Sequence, residues 1–239
     1  MNTNNNTLNT LVKITFYITF AFLVTTGTIT FIEAISTSNK YVRHALNLET
    51  CISVIAGYYY GQFLKKVNVD ENDLKTIDDS KIDFSSINQV RYVDWAITTP
   101  IMLLVLLIVF GINTGNVMPS IGFYGLILFF NYLMLLFGFI NESKGKNKMM
   151  RYQILGFISF FILFGLIGMK YIWVATPILA NNVIFYIYLI LWAFYGIFHS
   201  FSNEKIKNIG YNVLDLFAKC FVGIFFWAYL TGAIKFLGN

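Results

Sequence analysis

Charge is scarce in this chain, and so are the residues that usually build a soluble active centre. Asp, Glu, Lys and Arg make up 12% of its 239 residues, and there are two cysteines and two histidines. Cys51 and Cys220 both fall in apolar stretches, where they serve as small apolar side chains rather than as a disulfide or a zinc-ligand pair. His44 and His199 stand alone, and neither a glycine-rich phosphate loop nor an internal repeat is present. The net charge of +5 comes mostly from loop lysines such as Lys144, Lys146 and Lys148. These lack the interleaved aromatics of a nucleic-acid groove, so no nucleic-acid partner is expected and a solvated membrane edge explains them better. Apolar surface, by contrast, is abundant. With 57% hydrophobic residues and 25 phenylalanines, the chain has more of it than one soluble core can bury, and it belongs in a lipid bilayer.

Seven apolar runs are each long enough to cross a hydrocarbon core of about 30 Å as a helix. They cover residues 8–35, 41–64, 88–112, 120–140, 149–169, 176–201 and 209–236. Between the fifth and sixth runs the sequence stays apolar, and Pro177 is the best breaker. The first run lacks a basic flank and a small-residue cleavage site, and it is too long for a signal peptide, so it reads as a retained helix. Residues 1–239 therefore form a single all-α, multi-pass membrane domain, with no further domain expected after the last helix.

Two polar constellations interrupt this apolar background. Lys219 lies inside the seventh run with Asp215 four residues before it, on the same helical face. A cation at that depth costs roughly 2.5–3.5 kcal/mol, so it needs a counter-charge, a covalent role or both. A lysine amine can also condense with a carbonyl compound to form a Schiff base. In the third run, Arg91, Asp94 and Thr98 fall at i, i+3 and i+7 and make one polar stripe that must face the interior. If that stripe meets Lys219 and Asp215, two cations balance two carboxylates in a low dielectric. A buried pair that merely ties helices together, or a transporter or receptor core, fits these residues as well.

Seven spans, Arg91-Tyr-Val-Asp94-Trp95-Ala-Ile-Thr98-Thr99-Pro100 in the third and Asp215-x-x-x-Lys219 in the last, resemble the microbial rhodopsins, retinal-binding photoreceptors and ion transporters. The resemblance covers nearly the whole chain and implies a seven-helix bundle of that type and no enzyme activity. It implies that Lys219 carries all-trans-retinal as a protonated Schiff base, that Asp94 and Asp215 are the counterions, and that Arg91 and Thr98 are associated with them. Trp95, Thr99, Met102, Asn131, Met134, Gly138, Trp192 and Tyr195 are the implied retinal pocket. Gly196 stands where the family usually has proline, so less of a bend is expected in the sixth helix. His199, where the family commonly has an aromatic residue, reads as a packed interfacial histidine more readily than as a proton relay.

Carboxylates beside an imine favour its protonated form, and isomerisation of a bound polyene lets the proton pass to Asp94. Whether that transfer ends in pumping or in a passive current depends on how the imine is reprotonated. Family proton pumps carry an acid two turns beyond Thr98, where this chain has Val105, which holds no proton. The Asp94, Thr98, Val105 combination is similar to that of the viral rhodopsins of the first group, which are light-gated cation channels. A channel is therefore preferred, with a slow proton pump or a sensor acting through a separate transducer as alternatives. Arg43, Asn47, Glu49 and Ser53 in the second run, with Asn212 one turn before Asp215, are the expected ion path, and Glu49 its constriction. The alternative is that Arg43 and His44 snorkel at a helix end while Glu49 pairs with one of them. Expected partners are the bilayer, transported cations or protons, and a second copy of the chain. Family topology places the N-terminus outside, which puts Lys65, Lys66, Lys75, Lys81, Lys144, Lys146, Lys148, Arg151, Lys205 and Lys207 on the outer face. Loop charge alone argues the reverse. The family orientation is kept because its motifs span more of the chain.

Overall fold

A computed structural model describes residues 2–67, 82–115, 118–145 and 149–234, with side chains from residue 7 onward. Lys75, Lys81, Lys146, Lys148 and the last two residues of the seventh apolar run lie outside the described residues. The described residues form seven helical rods. They are α1 (Asn2–Ser36), α2 (Lys40–Val67), α3 (Phe84–Thr114), α4 (Ile121–Ser143), α5 (Met150–Tyr171), α6 (Leu179–His199) and a seventh rod, Glu204–Leu230. That last rod consists of α7 (Glu204–Asp215), a π-helical stretch (Leu216–Phe221) and α8 (Val222–Leu230). Successive rods pack side by side, and the seventh closes the ring against α1.

Six rods are long and apolar enough to cross a membrane; α2 is the exception. Its shortfall comes from Asn47, Glu49, Thr50, Ser53 and Gln62, polar groups within an otherwise spanning helix. Leu11, Ile14, Phe129, Ile154, Ile158 and Phe161 are exposed on the outside of the bundle. Such a surface is adverse in water and suits lipid. The chain is thus a multi-pass integral membrane protein.

Helix ends differ from the hydropathy-based spans where capping overrides apolarity. α3 begins at Phe84 because the Asp83 side chain accepts from the Ser86 amide at 3.0 Å. The seventh rod begins at Glu204, five residues before the apolar run, because Asn203 accepts from the amides of Lys205 and Ile206. Its first turns are polar and therefore invisible to hydropathy. Pro100, inside α3, cannot donate to the Ala96 carbonyl. The Tyr132 hydroxyl of α4 donates to that oxygen instead, at 3.3 Å, and the Tyr124 hydroxyl donates to the Pro100 carbonyl at 2.9 Å. The proline thus ties α3 to α4 at the wall of the site.

Candidate retinal site and its ion network

Three segments meet at the bundle centre: α3, α6 and the π-helical stretch of the seventh rod. That stretch holds Lys219, and widened turns of this kind commonly occur at functional sites. Lys219 Nζ donates to Asp94 Oδ2 at 2.6 Å and lies 3.6 Å from Asp215 Oδ1. All three side chains are buried. Asp94 is therefore the nearer of the two carboxylates to the amine.

The two acids differ in their company. Asp215 Oδ2 accepts from Tyr60 at 2.8 Å and from Arg91 at 3.3 Å, and its Oδ1 accepts from Tyr195 at 2.7 Å. Arg91 also donates to Asn212 Oδ1 at 2.8 Å and Asn208 Oδ1 at 3.3 Å, with its guanidinium 5.0 Å from the Phe63 ring centre. Asp94 Oδ1, in contrast, has no hydrogen-bond partner among the described residues. Thr98 sits beside Asp94 but bonds its backbone carbonyl, at 2.9 Å, rather than its carboxylate. Asp215 is thus anchored, whereas Asp94 depends on Lys219.

Beside this cluster lies one large, mainly apolar cavity. Seven of the eight expected pocket residues line it: Trp95, Thr99, Met102, Met134, Gly138, Trp192 and Tyr195, with Lys219 at its wall. Asn131 stands one layer back, where its amide donates to Thr99 Oγ1 at 2.9 Å. The T-shaped packing of Trp95 on Tyr195 and of Trp192 on Phe164 gives the cavity flat aromatic walls. A Cβ at Gly138 would stand 2.7 Å from the Tyr92 hydroxyl, so that wall admits only glycine without rearrangement. An apolar slot ending in a buried, carboxylate-paired amine fits a long apolar aldehyde joined to that amine.

The residues expected to form an ion path do not share one face. Glu49 and Ser53 are buried, and Glu49 Oε2 lies 3.0 Å from the position a Cβ on Gly223 would take, one turn beyond Lys219. Arg43 and Asn47 are exposed on the outside of α2, and Arg43 donates to the Thr37 carbonyl at 2.7 Å rather than pairing with Glu49. Asn212 belongs to the Arg91 network on the opposite side of Lys219. Val105 is fully buried in an apolar run of α3 with Leu103, Leu106 and Leu107.

The sequence alone did not reveal a second ion cluster, beyond Arg91. Lys207 is buried between Glu142 Oε1 at 2.8 Å and Glu204 Oε1 at 2.7 Å, and Asn88 donates to both acids at 2.8 Å. His199 Nδ1 is 3.4 Å from Glu142 Oε2 and 3.3 Å from the Tyr92 hydroxyl. The histidine is packed at a helix interface, as expected, but within a polar network. Only the i, i+3 spacing of Glu204 and Lys207 hinted at this cluster.

A bacteriorhodopsin-like protein family model matches residues 10–233. The chain belongs to that family. Family membership implies a retinal chromophore and a photoreceptor, pump or channel rather than a conventional enzyme. This bacteriorhodopsin-like protein is similar to the crystal structure of viral rhodopsin OLPVRII, with 43% identity over 94% of this chain and all of that one and a TM-score of 0.83. That name does not place the neighbour in the first viral group, so the narrower kinship is carried by the Asp94, Thr98, Val105 pattern alone. A blue light-absorbing proteorhodopsin from Med12 is 22% identical over 93% of this chain and 97% of its own, with a TM-score of 0.66. The rhodopsin of Exiguobacterium sibiricum is 20% identical over 95% and 98%, with a TM-score of 0.76. These two share the fold. No curated protein matches the chain.

Proposed function

We propose that Lys219 carries all-trans-retinal as a protonated Schiff base and that the protein moves protons across the membrane in light. The carrying observation is the 2.6 Å contact between Lys219 Nζ and an otherwise unpartnered Asp94. Retinal bound there supplies light absorption and an isomerisation that redirects the nitrogen. Trp95, Thr99, Met102, Met134, Gly138, Trp192 and Tyr195 hold and orient it, with Asn131 fixing Thr99. Asp94 is the primary counterion and takes the proton from Nζ, since its carboxylate has no other partner to hold its charge. Asp215 stays ionised because Arg91, Tyr60 and Tyr195 stabilise the anion, so it offsets the Arg91 charge without taking part in transfer.

Reprotonation comes from the other side. Glu49 is the buried acid next to Gly223, and no ion pair reaches its carboxyl among the described residues. A buried carboxyl without a cation holds its proton. It takes the role that Val105 cannot, returning a proton to Nζ and reloading from the aqueous phase on that side.

A light-gated cation channel, the expectation from the Asp94, Thr98, Val105 pattern, is the second reading. In it the same Glu49 is the constriction. The outward placement of Arg43 and Asn47 favours proton transport. Voltage clamp in light distinguishes the two: transport gives a unidirectional photocurrent carried by protons. A current that reverses sign at a cation equilibrium potential overturns it in favour of the channel.

A further inference from the structure

Glu49 shares its half of the bundle with several buried polar side chains, including Thr26, Thr30, Asn181, Ser53 and Tyr188. Glu49, Ser53 and Tyr188 are each 2% exposed, and neither Ser53 Oγ nor Tyr188 Oη has a hydrogen-bond partner. A buried hydroxyl without a partner is costly, and phenylalanine would fill the Tyr188 site without that cost. Tyr188 lies one turn from Trp192 on α6 and shares a crevice with Trp192, Ala218 and Val222. Its ring stacks on Phe226 at 6.2 Å and 20°. Phe226 is three residues past Gly223, against which the Glu49 carboxyl rests, so α8 presents both groups from one face. Ser53 is one turn from Glu49 on α2, toward the level of Tyr60 and Asp215.

We propose that Tyr188 is the positioning residue of Glu49, its hydroxyl joined to the carboxyl across one bridging water, so that the acid's proton is held toward Lys219. This rests on the reading of Glu49 as the proton source. Tyr188 does not line the cavity, although its ring lies 6.3 Å from that of Trp192, and its role runs through Glu49.

The test uses the full chain reconstituted with all-trans-retinal, as wild type, Glu49→Gln and Tyr188→Phe. Light-minus-dark infrared spectra report the carboxyl C=O stretch, and flash photometry reports recovery of the dark absorbance. The expected result is a carboxyl band that is absent in Glu49→Gln and moved to higher frequency in Tyr188→Phe. Recovery in Tyr188→Phe should be about tenfold slower, the equivalent of one lost hydrogen bond. An unchanged dark spectrum in Tyr188→Phe shows that the pocket is intact. If that variant leaves both band and rate unchanged, the positioning role is overturned while Glu49 stands. If Glu49→Gln itself leaves both unchanged, the reading of Glu49 falls, and this inference with it.

Discussion

The two sides of Lys219 are built on opposite plans. Toward Arg91 the interior is a network of ion pairs and hydrogen bonds, from Lys219 through Asp215, Tyr60, Arg91, Asn212 and Asn208 to the Glu142, Lys207 and Glu204 cluster. Toward Val105 the interior is mainly close-packed Leu, Ile, Val and Phe, with polar groups such as Glu49, Ser53, Tyr188, Thr26 and the Asn113, Asn181 and Tyr229 set in separate places. In the proposed transport, a proton would cross the first side along fixed partners and meet a barrier on the second. On the proposed reading, this contrast would let a single amine set direction, with a path on one side and Glu49 as the proton source on the other.

Four substitutions break or sharpen this comparison, in decreasing order of effect. Asp94→Asn removes the acceptor; light-driven proton transport should be lost and the absorption maximum should move to the red. A variant with unchanged spectrum and transport would remove Asp94 as primary counterion. Lys207→Met leaves Glu142 buried without its cation, and the thermal stability of the coloured protein should fall by about 3–5 kcal/mol, less where the half-exposed Glu204 relaxes into solvent. Because the cluster reaches Lys219 only through intervening partners, the absorption maximum should move far less than in Asp94→Asn.

Glu49→Gln affects the sparse side alone. Recovery after a flash should slow roughly 100-fold, about 2.7 kcal/mol in barrier, while the first proton transfer to Asp94 keeps its rate. Added azide, a small diffusible acid, should restore much of the recovery; its failure to do so would argue for a structural role of Glu49. Gly138→Ala is the mildest. Its new methyl meets the Tyr92 hydroxyl, and overpacking of about 1–3 kcal/mol should appear as reduced retinal loading or a small spectral shift, with transport preserved in the loaded protein.

How far the sequence alone reached tracks the same divide. Lys219 with Asp215, and Arg91 with Asp94 and Thr98, were readable because each set lies on one helix face and is anomalous in an apolar run. The hydroxyls that set Asp215 apart from Asp94 were not: Tyr60 comes from a helix where tyrosine is unremarkable, and Tyr195 was expected against retinal rather than on Asp215. The Glu142, Lys207 and Asn88 cluster is assembled from three different rods, so no spacing within one helix encodes it. The polar face of α2 was seen, but its rotation was not. Arg43 and Asn47 fall on the outer side, and Thr50 turns toward α1 to bond Thr30 at 2.9 Å, which leaves Glu49 and Ser53 inside.

The central claim is a covalent bond at one nitrogen, and it can be read chemically. Protein loaded with all-trans-retinal is reduced with borohydride, digested and weighed by peptide mass spectrometry. The account predicts a retinyl adduct on the peptide containing Lys219 and, after Lys219→Ala, neither adduct nor visible colour. An unmodified Lys219 in coloured protein, or an adduct on a different lysine, would contradict it.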